Sequence, residues 1–305
     1  MDNRLHFNYF WHQLDNRGIQ FAVREFLDNG ANRFVLTAPL LQQLLDDQER
    51  KDFLQRLCHD MKVQFSTTHA FYGIEHDLNI NNPARRPQML AEHIRAMETA
   101  AEFNCKTFTI HVGAGDYCYK KCPLEILRPL AVEALEKLLP TAEKLGMVIA
   151  VENSFEMPNS AKEVLGLIRH FDGHPALGVC YDTGHAHCMA PTPGKDKNLY
   201  EPYFAESWWE DGVIYEDNAL GTLKEHVVTC HIHDNNGYGD HHGMPFDGTI
   251  DWQKLMPELF SCPRMIDMQT EVCFSDGENW SGKLLAPVGG YSIRRLTDTF
   301  RYLGF

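Results

Sequence analysis

LRPLAVEALEKLLPTAEKLGMVIAVENSFE, residues 127–156, holds one complete structural unit. Apolar residues at Leu127, Leu130, Ala131, Ala134, Leu135, Leu138, Leu139 and Ala142 recur at helical spacing, and Gly146 closes the run. Met147–Glu152 follows at once as a short apolar strand that ends on a carboxylate. Outward from this unit the same alternation repeats. Strands are predicted at Leu5–Phe10, Arg33–Thr37, Val63–Thr68, Thr107–His111, Leu177–Asp182, Val227–His233 and Met265–Glu271. Ala91–Phe103 and Ile293–Leu303 carry the helical period again, the second followed by Gly304. Eight strand–helix alternations without a break in composition predict an α/β protein, a single-domain (β/α)8 TIM barrel over residues 1–305. That is roughly 38 residues per unit, comfortable for this fold with some long loops. No GxGxxG lies between a strand and a helix, which disfavours a doubly wound open sheet.

One connection is long. A loop insertion at about 190–218 holds Tyr200, Tyr203, Trp208 and Trp209 with no strong periodicity. A loop of this length reads equally as a lid over a site and as an oligomer contact or surface excursion.

Composition narrows the function. Hydrophobic content of 44% is ample for a buried core. No run is apolar over the roughly 18 residues a membrane helix needs, so no membrane partner is expected. The opening MDNRLHFNYFW lacks a basic region followed by an apolar stretch, so no secretory signal is expected. Nine scattered cysteines, with Cys118 and Cys122 as an isolated CxxxC, read as reduced thiols of a cytoplasmic protein. The formal charge of −14, with Arg85-Arg86 as the best basic cluster, makes a nucleic acid partner unlikely.

The strands share one feature. FTIH ends at His111, VIAVE at Glu152, LGVCYD at Asp182, VTCHIH at His231 and His233, and MQTE at Glu271. A charge in the middle of a strand buried on both faces costs a large desolvation penalty. At the C-terminal mouth of a barrel the penalty falls, and side chains from several strands converge. One such residue is usually structural. Five units ending this way point to a cation held among them, and the ligand types suit zinc, manganese or iron.

At this point the chain resembles the xylose isomerase-like barrel superfamily, which includes sugar isomerases, sugar epimerases and the endonuclease IV-type enzymes that cut at abasic sites. The matching segments are STTH ending at His69, TIHVG around His111, AVENSFE around Glu152, YDTGHAH from Tyr181 to His187, HIHDNNG from His231 to Gly237, DHHGMPFDGTIDW from Asp240 to Trp252, and QTE at Glu271. The resemblance implies a central metal group of Glu152, Asp182, His231 and Glu271. It implies a second group, His69 and His111, that shares Glu152, and a third of His185, Asp240 and His242. A divalent metal, zinc or manganese, is therefore expected, with more than one ion allowed. His242 is preferred over His241 on the Asp240-x-His242 spacing. His187 and His233, two residues beyond ligands, are expected to bind substrate hydroxyls or to orient ligands.

Two functions fit this set. In the epimerases that the chain looks like, paired glutamates, here Glu152 and Glu271, face each other across a sugar and move a proton next to a carbonyl through an enediolate. An acidic chain suits a neutral sugar or sugar derivative. The alternative is a multi-metal phosphodiesterase acting on abasic DNA, and a barrel that only binds sugar or metal is a third reading. A homo-oligomer is possible.

Overall fold

Strands apolar on both faces need cover on both, and closing the sheet while wrapping it in helices supplies it. A computed structural model describes residues 2–191, 196–200, 215–273 and 291–305. Its strands are β1 (Leu5–Phe7), β2 (Arg33–Leu36), β3 (Gln64–His69), β4 (Thr107–Ile110), β5 (Val148–Glu152), β6 (Leu177–Asp182), β7 (Val227–Ile232) and β8 (Met268–Thr270). All pair in parallel in sequence order, and β8 pairs back onto β1 to close the barrel. Every predicted strand is present. Several stop short of their predicted ends because the mouth residues leave the ladder.

The helices are α1 (Asn16–Asp28), α2 (Ala38–Asp46), α3 (Gln48–Met61), α4 (Arg86–Glu102), α5 (Gly115–Cys118), α6 (Leu124–Leu145), α7 (Ala161–His170), α8 (Thr183–Met189), α9 (Ala219–Leu223), α10 (Trp252–Phe260) and α11 (Ile293–Tyr302). Gly146 ends α6 in the left-handed region at φ 64°, where a residue without Cβ is unstrained. None of the helices in the described residues is long and apolar enough to cross a membrane.

Two cores result. The outer one lies between strands and helices and is rich in aromatic rings: Trp11, Phe26, Phe34 and Phe65 pack with centroids 5.1–5.8 Å apart. The inner one, inside the barrel, is divided. On the β5–β6 side it is apolar, with Ala150, Cys180 and Val228 in contact. Elsewhere it is polar, where Asp267 accepts hydrogen bonds from Thr107 and Thr229, each at 2.6 Å. Gln269 donates to Thr67 at 2.8 Å and to Thr229 at 3.1 Å. These groups are buried and satisfied, which a buried polar network must be. They form a rigid floor beneath the mouth.

Of the long connection, Met189 O accepts from Glu216 N at 3.0 Å, so its two ends meet. Tyr200 is buried, and its hydroxyl donates to Cys188 O at 3.0 Å. Its hydroxyl needs a partner once the ring is buried, and the Cys188 carbonyl supplies one. Tyr203, Trp208 and Trp209 lie outside the described residues.

Candidate metal centre

Alternation along a strand sends every second side chain inward, so β4, β5, β6, β7 and β8 each deliver a last inward residue to the same level. His231 is the hub. Its Nδ1 lies 3.2 Å from Glu152 Oε1, 3.6 Å from Asp182 Oδ2 and 3.0 Å from Glu271 Oε2. Ligand atoms of Glu152, Asp182, His231 and Glu271 all fall within 4.8 Å of one another.

Glu152 faces a second group as well. Its Oε2 lies 3.3 Å from His69 Nε2 and 3.1 Å from His111 Nε2. One carboxylate therefore serves two clusters with its two oxygens.

The third group gathers His185, His233, Asp240 and His242. Asp240 Oδ2 lies 3.4 Å from His185 Nε2 and 3.0 Å from His242 Nε2. His242 holds a left-handed φ of 48°, which bends the chain so that Asp240 and His242 meet. His241 joins none of the candidate groups among the described residues.

Local hydrogen bonds aim these rings. A carbonyl oxygen can only accept, so His69 Nδ1 donates to Ala70 O at 2.7 Å, His185 Nδ1 to Asn153 O at 3.0 Å and His242 Nδ1 to Glu271 O at 2.9 Å. In each case Nε2 is left facing carboxylates, the orientation by an outer partner that metal-binding histidines show. Asp182 caps α8, accepting from His185 N at 2.7 Å, and Asn153 clamps the Asp182 backbone through both its amide atoms. Gly184 lets α8 approach β7: a Cβ there would stand 2.1 Å from His233 Cε1.

His233 stands deeper than a substrate contact would. It is fully buried, its Nε2 lies 3.0 Å from Asp182 Oδ2, and its ring stacks on His242 at 4.0 Å. His187 sits apart, 2.8 Å from Thr249 Oγ1, and joins none of the candidate groups among the described residues.

Two further contributors, Asp234 and Tyr72, are not among the residues expected from the sequence. Asp234, fully buried, accepts from the backbone of Asn235, Phe246 and Ile250 and from Trp252 Nε1 at 2.8 Å, tying the 234–252 loop that carries Asp240 and His242. Tyr72 overhangs the mouth, its ring 5.3 Å from His69 and 5.4 Å from His111.

The electrostatics fit a cation. Burial opposes ionisation of Glu152, but His231 and His111 outweigh it and hold the carboxyl well below the usual range. Burial also opposes charge on Asp182, which His185 and His233 hold far below its usual value. Burial favours neutral imidazoles, yet Asp182 and Asp240 raise His185 well above 6.5, and Asp240 lifts His242 to about 10. Glu271 Oε2 is buried and accepts no well-directed hydrogen bond. Oxygen and imidazole donors of this kind, with an unsatisfied carboxylate oxygen among them, suit a divalent ion of the zinc or manganese type.

Metal uptake should therefore release protons. At pH 7 the metal-free imidazoles of His185 and His242 are charged, and a ligand nitrogen must shed its proton. Zinc affinity is expected to rise with pH between 6 and 8. Calorimetry in buffers of different ionisation enthalpy should count a net release, and an uptake or a flat pH profile would refute this.

A sequence model of the xylose isomerase-like TIM barrel matches residues 23–269. An uncharacterized protein of Methanocaldococcus jannaschii is 26% identical over 199 residues, 63% of this chain and 58% of that protein. The chain spans less than two thirds of the length of the curated relatives it matches. Among solved structures, the apo form of 3-keto-D-glucoside 4-epimerase from E. coli superposes with a TM-score of 0.68 at 16% identity, covering 99% of both chains. D-psicose 3-epimerase with D-tagatose, from Clostridium cellulolyticum H10, does so with a TM-score of 0.69 at 14% identity, covering 98% of both. At these identities the likeness shows the fold.

Proposed function

The chain belongs to the xylose isomerase-like TIM-barrel family, and on that premise we propose that it is a metal-dependent sugar isomerase or epimerase. The observation that carries the reading is the pair Glu152 and Glu271, whose carboxylates both approach His231 Nδ1, at 3.2 and 3.0 Å. Burial works against charge on both carboxyls, but the surrounding imidazoles, His231 first, hold both below their usual range. Both are therefore ionised at neutral pH, the form a base requires.

Glu152, Asp182, His231 and Glu271 would hold the ion. A divalent ion there supplies positive charge that polarises a carbonyl and an adjacent hydroxyl, acidifying the C–H between them. One glutamate takes that proton, and the other, after taking a proton from solvent, gives it to the opposite face or to the neighbouring carbon. Tyr72 is 42% exposed over the mouth and offers its ring to the apolar face of a sugar. The epimerase names of the two solved relatives agree with this reading.

A second reading has its own support. Three adjoining ligand groups, two sharing Glu152 and the third linked through the Asp182–His233 contact, are the kind of cluster that clamps both oxygens of a phosphodiester. The net charge of −14 weighs against a DNA polyanion.

One assay separates them. Ketoses and aldoses in deuterated water should acquire deuterium next to the carbonyl, while abasic duplex at low salt with zinc or manganese stays intact. Metal-dependent strand cleavage that disappears in Asp182→Ala would promote the phosphodiesterase. Low salt matters because a weak electrostatic complex with DNA survives only there.

A further inference from the structure

Beneath the four-residue centre the barrel wall carries a thiol. Cys180 is the inward residue of β6 one step below Asp182, and its Cα is in register with Glu152 across the β5–β6 ladder. It is fully buried and packs with Ala150 and Val228. Its Sγ, a carboxylate oxygen of Glu152 and a ring nitrogen of His231 all lie within 4.8 Å of one another. Eight other cysteines are present, and among the described residues none joins such a group.

The surroundings of this thiol are two-sided. Below it are apolar side chains, which leave a neutral thiol inert. Above it are two residues of the proposed metal centre. Without a cation, the buried thiol packs as a small apolar side chain. A hard ion such as manganese or magnesium would be satisfied by the carboxylates and ignore it. A softer ion gains from sulfur.

We propose that Cys180 joins Glu152 and His231 as a metal ligand at the edge of the central group and makes the site select a thiophilic divalent ion, zinc or cobalt, over manganese or magnesium. This rests on the reading that Glu152, Asp182, His231 and Glu271 hold a divalent ion. On binding, the S–H bond breaks, its proton leaves to solvent and one sulfur–metal bond forms; no electron is transferred. The added negative charge is offset when a second dication occupies the His69–His111 side and shares Glu152.

Cobalt(II) titration of the metal-free protein tests this without any substrate. Visible d–d bands report the ion in the protein, and an intense near-ultraviolet sulfur-to-cobalt charge-transfer band reports a thiolate ligand. Wild type should show both. Cys180→Ser should keep the visible bands, lose the near-ultraviolet band and bind zinc roughly tenfold or more weakly, with manganese binding unchanged. Cys262→Ser, remote from the mouth, should retain both signatures. Visible bands without the near-ultraviolet band in wild type overturn the proposal while leaving the metal centre standing. No visible bands at all overturn both. The wild-type spectrum decides even where Cys180→Ser fails to fold.

Discussion

Glu271→Gln is expected to abolish deuterium exchange into substrate while leaving the barrel folded. Glutamine keeps the volume and one carbonyl oxygen, so the mouth stays filled. It loses the basic lone pair that accepts a carbon-bound proton, and an amide is a poor metal ligand. A positioned general base contributes about 10²–10⁴-fold, so the loss should be at least that large, or about 3–5 kcal/mol of barrier. The fold should tolerate the change because Glu271 follows β8 instead of pairing within it, and its side chain is 21% exposed. Thermal unfolding checks that, and elemental analysis after dialysis separates loss of the base from loss of the ion. A variant that holds its ion yet loses exchange assigns Glu271 to proton transfer. Near-normal exchange would remove it from that role.

The barrel and the strand-end part of the cluster were legible in the sequence for one reason. Desolvation confines charge to strand ends, so FTIH, VIAVE, LGVCYD, VTCHIH and MQTE announce where the mouth lies. The residues beneath them give no such signal. Thr107, Thr229 and Gln269 are unremarkable one at a time, and Asp267 finds Thr107 across 160 positions of chain because the barrel closes. Cys180 reads as one apolar strand residue until the β5–β6 register sets it beside Glu152. Asp234 stands in HIHDNN among residues that look like ligands, yet its oxygens are spent on backbone amides and an indole, so it holds a loop in place. The histidine pairs divide similarly. His231 and His233 point to one side of the strand, but the first meets three carboxylates while the second lies under His242.

Glu152→Ala should have the widest effect, because its two oxygens serve different clusters. Removing the side chain leaves His69 and His111 without their shared carboxylate and takes one ligand from the Asp182–His231–Glu271 group. Metal content after dialysis should fall, and exchange activity should vanish with it. The metal-free proteins should also differ in stability, with a defined pH window. Burial opposes the His111 charge, but Glu152 raises it above its ordinary 6.5, so its contribution is complete below pH 6.5 and is lost as pH rises through the folded value. The Glu152 carboxyl is depressed from its ordinary 4.5, so its contribution is complete above pH 4.5 and is lost as pH falls through the folded value. Both hold together between about 4.5 and 6.5, where the buried ion pair is fully formed. Breaking one partner of such a pair costs about 3–5 kcal/mol. Chemical unfolding of chelator-treated wild type and Glu152→Ala across pH 4–9 should therefore show the gap widest in that window and narrowing above it. A gap independent of pH would mean that Glu152 acts there by packing alone, and an unchanged metal content would break its assignment as the shared carboxylate.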